Sequence, residues 1–495
     1  MKFIAIPAFL VACFSTYAQV NNNACSCTKI GLDATWADSN KVSCYLIPVP
    51  RDVSNKAAGY FQLAVVMASS LRETNELPLL YLHGGPGIAT LENLPKYLKS
   101  TTWNQIRQTR SLVFFDYRGT GFSEPNLCPD LGDSLKLMES RNLSPEKIAA
   151  YKIELFKKCR IMHQENGIDI STFSSFQSAE DAESIRNSMQ IERWNVYGVS
   201  HGTTVALNLL KNHGNRIHSM ILDSPYPPNA PWPDFVRPFA ISFKVLEENA
   251  AIKANFPTIR NDFRKAVETL NKTPFPITMN NSGASYPFTG NDFAWSIWSA
   301  MLKPSAIPFV PLAIKELASG NTAFLSKWVV AFSDPNAFGK FSDYQSRAIL
   351  CYEGRPKNES DTKAYLQKEY PDFTAFNIDF ESDLCNAWQP NSAGRERFDP
   401  VLSDVPVLIL SGEYDPVCPP FFGKLAAKTL SKSSFINVPA ASHAAIHVDD
   451  CVRRLAINFL SNPLKKQSAS CIENRAKISF ITADLIPALS ELTKK

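Results

Sequence analysis

The stretch WNVYGVSHGTTVALNLL, residues 194–210, decides the reading of this chain. Its first half is apolar and strand-like. At its centre, Gly198-Val199-Ser200-His201-Gly202 has the form GxSxG, and the run from Thr203 to Leu210 is helix-like. A strand entering and a helix leaving around such a pentapeptide describe a tight turn that strains one serine and exposes its hydroxyl. The glycines are needed because side chains there would clash where strand and helix approach closely. An ordinary strand-to-helix loop would look similar, so the weight falls on what the rest of the chain supplies.

A serine hydroxyl is a poor nucleophile at neutral pH unless a base lies in hydrogen-bond reach and a third group orients that base. In sheets with this kind of turn the order along the chain is serine, acid, histidine. Downstream, Leu410-Ser-Gly-Glu-Tyr-Asp415-Pro follows a strand-like run, and Asp415 lies in the loop where the acid belongs. Ser442-His443 follows the next such run, Ser434 to Val438. The expected set is therefore Ser200 as nucleophile, His443 as base and Asp415 as acid, with Glu413 and His447 as the competing acid and base. His83-Gly84-Gly85-Pro86-Gly87 follows another apolar run, and a glycine-rich turn there can aim backbone N–H groups at a developing oxyanion. The N–H groups of Gly85 and His201 are expected to form that hole, with the His201 side chain turned away. The same turn does not read as a phosphate cradle, because the glycine spacing is wrong and the Lys-Ser/Thr pair is absent.

Outward from the serine, Leu77–His83, Ser111–Asp116, Trp194–Gly198, Ser219–Asp223, Val405–Leu410 and Ser434–Val438 read as buried strands. Helical stretches fall between them at 178–190, 202–213, 420–430 and 449–461. This alternation argues an α/β fold, a mostly parallel doubly wound sheet with helices on both faces. Between residues 224 and 400 the alternation stops. That region is helix-like and rich in aromatics, among them Phe235, Phe239, Phe243, Trp295 and Trp298. The expected organisation is a catalytic domain of residues 19–223 and 401–480 carrying a helical cap insertion, 224–400, over the site.

With these pieces placed, the chain resembles the α/β-hydrolase family of proline iminopeptidases, and more closely its secreted tripeptidyl-aminopeptidase-like branch. The resemblance runs from about residue 27 to about 475. HGGPG at 83–87 matches, Asp116-Tyr-Arg-Gly-Thr-Gly-Phe-Ser123 is close to the family's DQRGTGxS, and SGEYDPVCPP at 411–420 resembles the acid-bearing segment, which usually ends in PVTPP. Cys451-Val-Arg-Arg with a later Cys471 also fits. His201 stands where the family has Tyr, and Cys418 where it has Thr, which leaves specificity open. The resemblance implies an α/β-hydrolase fold with a cap, and structural roles for Asp116 and Arg118 in the loop beside the site. It also implies disulfides Cys128–Cys159, Cys351–Cys385 and Cys451–Cys471, with Cys44 joined to Cys25 or Cys27 and Cys418 taking the remaining one.

The implied activity is acyl transfer to Ser200 and hydrolysis of the acyl-enzyme, with neither metal nor organic cofactor. An aminopeptidase must also hold a free N-terminal ammonium, which a partly desolvated carboxylate would do. Glu247, Glu248, Glu316 and Glu353 are the candidates in the insertion, and Glu353 ranks first through its Cys-x-acid setting, Cys351-Tyr-Glu353. An esterase or lipase acting on small acyl esters is the alternative, since the same triad serves both reactions. The expected partners are short peptides or small acyl substrates.

Residues 1–18, MKFIAIPAFLVACFSTYA, read as a secretory signal peptide cut after Ala18; the apolar run is about twelve residues where a membrane span needs ~20. Leu10-Val-Ala-Cys13 also resembles a lipobox, which would lipidate Cys13. Either way the protein is expected to be exported, periplasmic or secreted. Loss or lipidation of Cys13 leaves ten of the eleven cysteines, an even number that suits a disulfide framework. Four Asn-x-Ser/Thr sites, Asn142, Asn271, Asn280 and Asn358, would matter only in a eukaryotic secretory path. Apolar residues make up 45% and charged residues 20% of the 495 residues, which excludes a disordered chain. With 51 Lys+Arg against 47 Asp+Glu and no basic run, nucleic-acid binding by phosphate neutralisation is not expected.

Overall fold

A computed structural model describes residues 23–128, 145–230, 235–278, 285–332, 341–354, 359–373, 382–389, 391–465, 467 and 469–492. The leader 1–18 with Cys13, and Asn142, Asn280 and Asn358, lie outside the described residues. The strands are β1 (Ala24–Cys25), β2 (Val42–Pro50), β3 (Tyr60–Ala68), β4 (Leu79–Leu82), β5 (Leu112–Phe115), β6 (Trp194–Val199), β7 (Ile217–Asp223), β8 (Phe275–Thr278), β9 (Ser285–Phe288), β10 (Val407–Gly412) and β11 (Ser433–Val438). Nine of them form one sheet in the order β1-β2-β3-β5-β4-β6-β7-β10-β11, and β8 pairs with β9 in a separate hairpin.

From β5 to β11 every pairing in the sheet is parallel. Strands buried on both faces read as continuous apolar runs, and LLYL, LVFF and VLILSG are buried at every position. The first three strands run antiparallel, with β3 against β5. Prolines 48 and 50 disguise β2 as a loop. They are tolerated because β1 covers β2 only at Tyr45 and Cys44, so the outer edge at Pro48 and Pro50 has no ladder to serve.

β4 lies between β5 and β6, so the winding reverses there. Crevices for ligands open beyond the carboxyl ends of strands at such a reversal. The buried apolar residues divide into a cluster on each face of the sheet, a third made chiefly by residues 236–373, and a small fourth of Tyr226, Ala230, Cys418 and Phe422. The 224–400 region splits its packing. Helices Val236–Glu248, Ile259–Lys272, Gly290–Met301 and Val310–Ala318 build the third cluster. Helices Asp343–Glu353 and Ser382–Trp388 instead insert Tyr344 and Trp388 beside Phe156 of helix Pro145–Glu165, at ring separations of 4.5 and 5.3 Å. The chain end joins the third cluster through Leu485 and Leu489 of helix Leu485–Leu492.

Four disulfides close the fold: Cys27–Cys44, Cys128–Cys159, Cys351–Cys385 and Cys451–Cys471. Such bonds belong to an oxidising compartment. Cys25 and Cys418 are free. The expectation that Cys418 would take the cysteine left over is thus corrected: Cys25 sits in the edge strand β1, while Cys418 is fully buried in the loop before helix Pro420–Ala427. No described helix is long and apolar enough to cross a membrane.

Candidate active site

Ser200 stands between β6 and helix His201–His213 with φ 55° and ψ −127°, a conformation that L-residues rarely adopt. Its N–H donates to the carbonyl of Asp223 at 3.0 Å, which anchors the turn to the neighbouring strand. The two glycines are required by contact. A Cβ on Gly198 would meet the Gly202 carbonyl oxygen at 2.7 Å, and one on Gly202 would meet the Leu82 oxygen at 2.1 Å. Leu82 and Gly198 are partners in the sheet register, so the residues two further on, Gly84 and Ser200, are also neighbours. A Cβ on Gly84 would stand 3.0 Å from the Ser200 Cβ.

Asp415 follows β10 and is fully buried, and its Oδ2 lies 2.9 Å from Nδ1 of His443, which follows β11. The other oxygen, Oδ1, accepts from the N–H groups of Val417 and Cys418, both at 2.9 Å. Burial alone would raise the Asp415 pKa, but the His443 charge and hydrogen bond with these two N–H donors hold it below the ordinary carboxylate value. Burial likewise works against an imidazolium at His443, yet the Asp415 charge and hydrogen bond outweigh it and leave the pKa raised. With Nδ1–H committed to Asp415, Nε2 is the nitrogen left to take a proton. The competitors are engaged elsewhere: Glu413 accepts from the Ala440 N–H at 2.8 Å, and His447 bonds Thr102 at 3.0 Å. Burial beside Asp415 pushes the pKa of the Cys418 thiol well up.

The glycine-rich turn follows β4. Gly85 has φ 126°, and a Cβ there would meet the Gly87 nitrogen at 2.9 Å, so only glycine fits. His201 opens its helix, and its N–H is one of the unsatisfied donors at a helix start. Its ring turns away from Ser200, toward Ser175.

A family model described as alpha/beta hydrolase fold matches residues 78–450. The chain belongs to the alpha/beta hydrolase fold family. A protein of Leptolyngbya boryana named as a probable proline iminopeptidase is 22% identical over 386 residues, covering 75% of this chain and 82% of that protein. Among solved structures, a thermophilic esterase from Thermogutta terrifontis matches 85% of this chain and 99% of its own at 13% identity, with a TM-score of 0.39. An esterase from Exiguobacterium antarcticum matches 81% and 97%, also at 13% identity, with a TM-score of 0.34.

In this α/β hydrolase, Glu353 ends helix Asp343–Glu353 and is buried. Its Oε1 accepts from the Ser175 N–H at 2.6 Å, and its Oε2 accepts from the Ser175 hydroxyl at 2.7 Å and lies 3.1 Å from an Arg397 nitrogen. Because the Ser175 hydroxyl gives its proton to Glu353, its oxygen is free to accept from Nε2–H of His201 at 3.0 Å. Burial pulls the His201 pKa down to about 4, so the ring stays neutral. Glu353 is thus linked through Ser175 to His201, the residue after Ser200, in a cluster with Ser175 and Arg397 that sequence reasoning missed. Neither of those residues sits in a recognisable motif. The other candidate carboxylates pair elsewhere: Glu247 with Arg260, Glu248 with Lys244, and Glu316 with Asn321.

Asp116 accepts from the N–H groups of Thr90, Leu91 and Phe122 at 2.6, 2.9 and 2.9 Å, which pins the segment after the glycine-rich turn. Arg118 makes a fully buried two-nitrogen contact with Asp181, at 2.8 and 2.5 Å. Cys128, Cys159 and His163 bring ligand-type atoms within 4.8 Å of one another, but the two sulfurs are bonded to each other as a disulfide.

Proposed function

We propose that the protein is an exported serine hydrolase that works through an acyl-enzyme on Ser200. The observation that carries this is the 2.9 Å contact of His443 with the buried Asp415, at the same sheet edge as a serine held at positive φ. In the proposed reaction Nε2 of His443 removes the Ser200 proton as Oγ attacks the carbonyl carbon. The N–H groups of Gly85 and His201 stabilise the oxyanion. The imidazolium, steadied by Asp415, then protonates the leaving amine or alcohol, and water repeats the sequence to release the acid.

The finer reading is an aminopeptidase that removes residues or short peptides from free N-termini. Support comes from the motifs HGGPG, DYRGTGFS and SGEYDPVCPP and from the relative named as a probable proline iminopeptidase. The 224–400 region acts as a cap that admits only chain ends. It reaches three parts of the site. Ser242 donates to the carbonyl of Asp415, Ser442 beside His443 donates to the Met301 carbonyl at 2.5 Å, and the Ser342 N–H donates to Gly87 at 2.8 Å. Glu353 is the candidate anchor for the substrate ammonium, which would take the place of Arg397 on Oε2.

A second reading, an esterase, draws on the aromatic trio Phe235, Trp295 and Trp298, whose rings lie 5.4–5.8 Å apart. The helix carrying the two tryptophans ends at Met301, beside Ser442, so an apolar acyl group would find a wall there.

The test uses the mature protein with a chromogenic peptide amide bearing a free N-terminus, its N-acetylated twin and a simple acyl ester, with Ser200→Ala as the blank. Cleavage of the free-amine peptide alone sustains the aminopeptidase. Turnover of the ester alone replaces it with the esterase. No turnover of any of them, with no labelling of Ser200 by a fluorophosphonate, refutes both.

A further inference from the structure

The C-terminal end of β7 lies between the strands that carry the nucleophile and the acid. In register, Asp223 pairs with Val199 on one side and with Leu410 on the other. Asp223 and Ser224 are both fully buried. The Asp223 carbonyl accepts from the Ser200 N–H at 3.0 Å, so this residue holds the nucleophile turn through its backbone.

Its side chain faces the other way along the site and holds the base. Oδ1 accepts from the Ala445 N–H at 2.8 Å, and Oδ2 accepts from the Ile446 N–H at 3.1 Å and from the Tyr197 hydroxyl at 3.1 Å. The Ser224 hydroxyl oxygen accepts from the Ala444 N–H at 3.0 Å, and the Ser224 N–H donates to Leu410 at 2.8 Å. Three consecutive backbone N–H groups directly after His443 are therefore gripped by two consecutive residues. Ser224 has φ 52° and Ala444 φ 60°, so the grip is made between two left-handed residues. Without it, the buried N–H groups of Ala445 and Ile446 would be left unpaired, at a cost comparable to a lost hydrogen bond each.

We infer that Asp223 and Ser224 are positioning residues that fix the Ser200 turn and the His443 loop in one register, and that the Asp223 carboxylate acts with Asp415 to stabilise the His443 imidazolium. The inference rests on the proposed Ser200 and His443 roles. The Tyr197 hydroxyl bonds the Asp223 carboxylate directly, and His443, Tyr81 and Cys418 interact with its charge. Of these only His443 carries positive charge in the catalytic cycle. Burial pushes the Asp223 pKa up to about 6 against its hydrogen bonds, so it is an anion at neutral pH. Its charge raises the His443 pKa in addition to that of Asp415. The signal in the sequence is slight: a single acidic residue ending an otherwise apolar strand, Ser219-Met-Ile-Leu-Asp223.

The experiment compares wild type, Asp223→Asn and Ser224→Ala in the mature protein by two readouts. The first is the rate of Ser200 modification by a fluorophosphonate across pH. The second is the titration of His443 followed by NMR of histidine-labelled protein, assigned with His443→Gln. Asp223→Asn keeps the shape but turns an amide N–H₂ toward a backbone N–H and removes the charge. The expected result is a rate lower by about 10–100-fold, as for a displacement of order 1 Å, and a His443 titration moved to lower pH. Ser224→Ala loses one acceptor and no charge, so its rate falls less and the His443 titration stays. If Asp223→Asn does not fold, Ser224→Ala with Asp223→Glu carries the test, the glutamate keeping the charge while misplacing the loop. Unchanged rate and unchanged His443 titration in folded Asp223→Asn overturn the inference. A wild type that never reacts at Ser200 refutes the proposed function instead, and the His443 titration then still decides whether Asp223 acts on the imidazole.

Discussion

Gly202→Ala is the substitution that tests the geometry most directly. The added methyl would stand 2.1 Å from the Leu82 oxygen and 2.7 Å from the His83 oxygen. Ordinary contact begins at 3.4 Å, so relief of the closer clash needs a retreat of 3.4 − 2.1 = 1.3 Å. Both opposing atoms belong to backbone at the end of β4, which lies between β5 and β6 inside the sheet and cannot yield as a flexible side chain would. The start of helix His201–His213 must move instead, and it carries His201 and Ser200 with it. Overpacking of this kind costs about 1–3 kcal/mol of stability, and a misplacement near 1 Å costs about 10²-fold in rate. Gly214→Ala is the matched control at the other end of the same helix. Its methyl meets nothing nearer than Leu210 Cδ1 at 3.7 Å, and a substitution free of such clashes stays within about 0.5 kcal/mol. Denaturant unfolding gives the stability and the fluorophosphonate reaction rate gives the activity of the folded fraction. A Gly202→Ala protein as stable and as reactive as Gly214→Ala would refute the close-approach account of the turn.

The remaining predictions concern the acid, the buried charges and the cysteines. Only neutral His443 can take the Ser200 proton, and its pKa is raised, so kcat/KM should climb with pH through an apparent pKa above 6.5. Asp415→Asn should move that limb to lower pH and cut the rate by about 10³–10⁴; a pH–rate profile with its limb unmoved would contradict this. Arg118→Ala leaves Asp181 buried and unpaired, so denaturant unfolding should show a loss of about 3–5 kcal/mol. Replacing both Cys451 and Cys471 with serine opens a loop of sequence separation 20 and should lower stability by about 3 kcal/mol, read by the same unfolding curve, with Ser200 reactivity of the folded protein unchanged. A chain beginning at residue 19, denatured without reductant, should titrate two thiols with a chromogenic disulfide reagent, and Cys418→Ala should titrate one.

What the sequence made legible divides along physical lines. The central parallel strands announced themselves because burial on both faces favours continuous apolar runs such as LVFF and the VLIL of β10. β2 escaped because Pro48 and Pro50 interrupt it and its buried positions are scattered, whereas β3 carries a buried apolar run, Leu63–Val66, that was legible and was passed over. The β8–β9 hairpin was hidden in a region read as helical, where two four-residue strands make no period of their own. Around the site, residues whose chemistry needs a particular backbone left marks: glycine at 85, 198 and 202, and the acid and histidine just past strand ends. Ser175, Arg397, Asp223 and Ser224 left almost none. They act by where the sheet and helices bring them, and Ser175 meets Glu353 across 178 residues of chain. Spacing along the sequence carries no trace of a contact made at that distance.

The sheet order explains why residues so far apart form one site. β4, β6, β7, β10 and β11 are consecutive neighbours, all parallel, so their carboxyl ends lie along one edge. Gly85, Ser200, Asp223, Asp415 and His443 each follow or end one of these five strands in turn. Ser200 and the Gly85 turn sit at the winding reversal, and Asp415 and His443 lie further along the same edge. The middle position, β7, touches both halves of the machinery. A strand there could end in a loop residue of any kind and leave the motifs intact. Instead it ends in a carboxylate whose carbonyl holds the serine turn and whose oxygens hold the histidine loop. The relative placement of Ser200 and His443 is therefore a property of the strand between them as much as of their own loops, and substitutions at Asp223 should be felt at both.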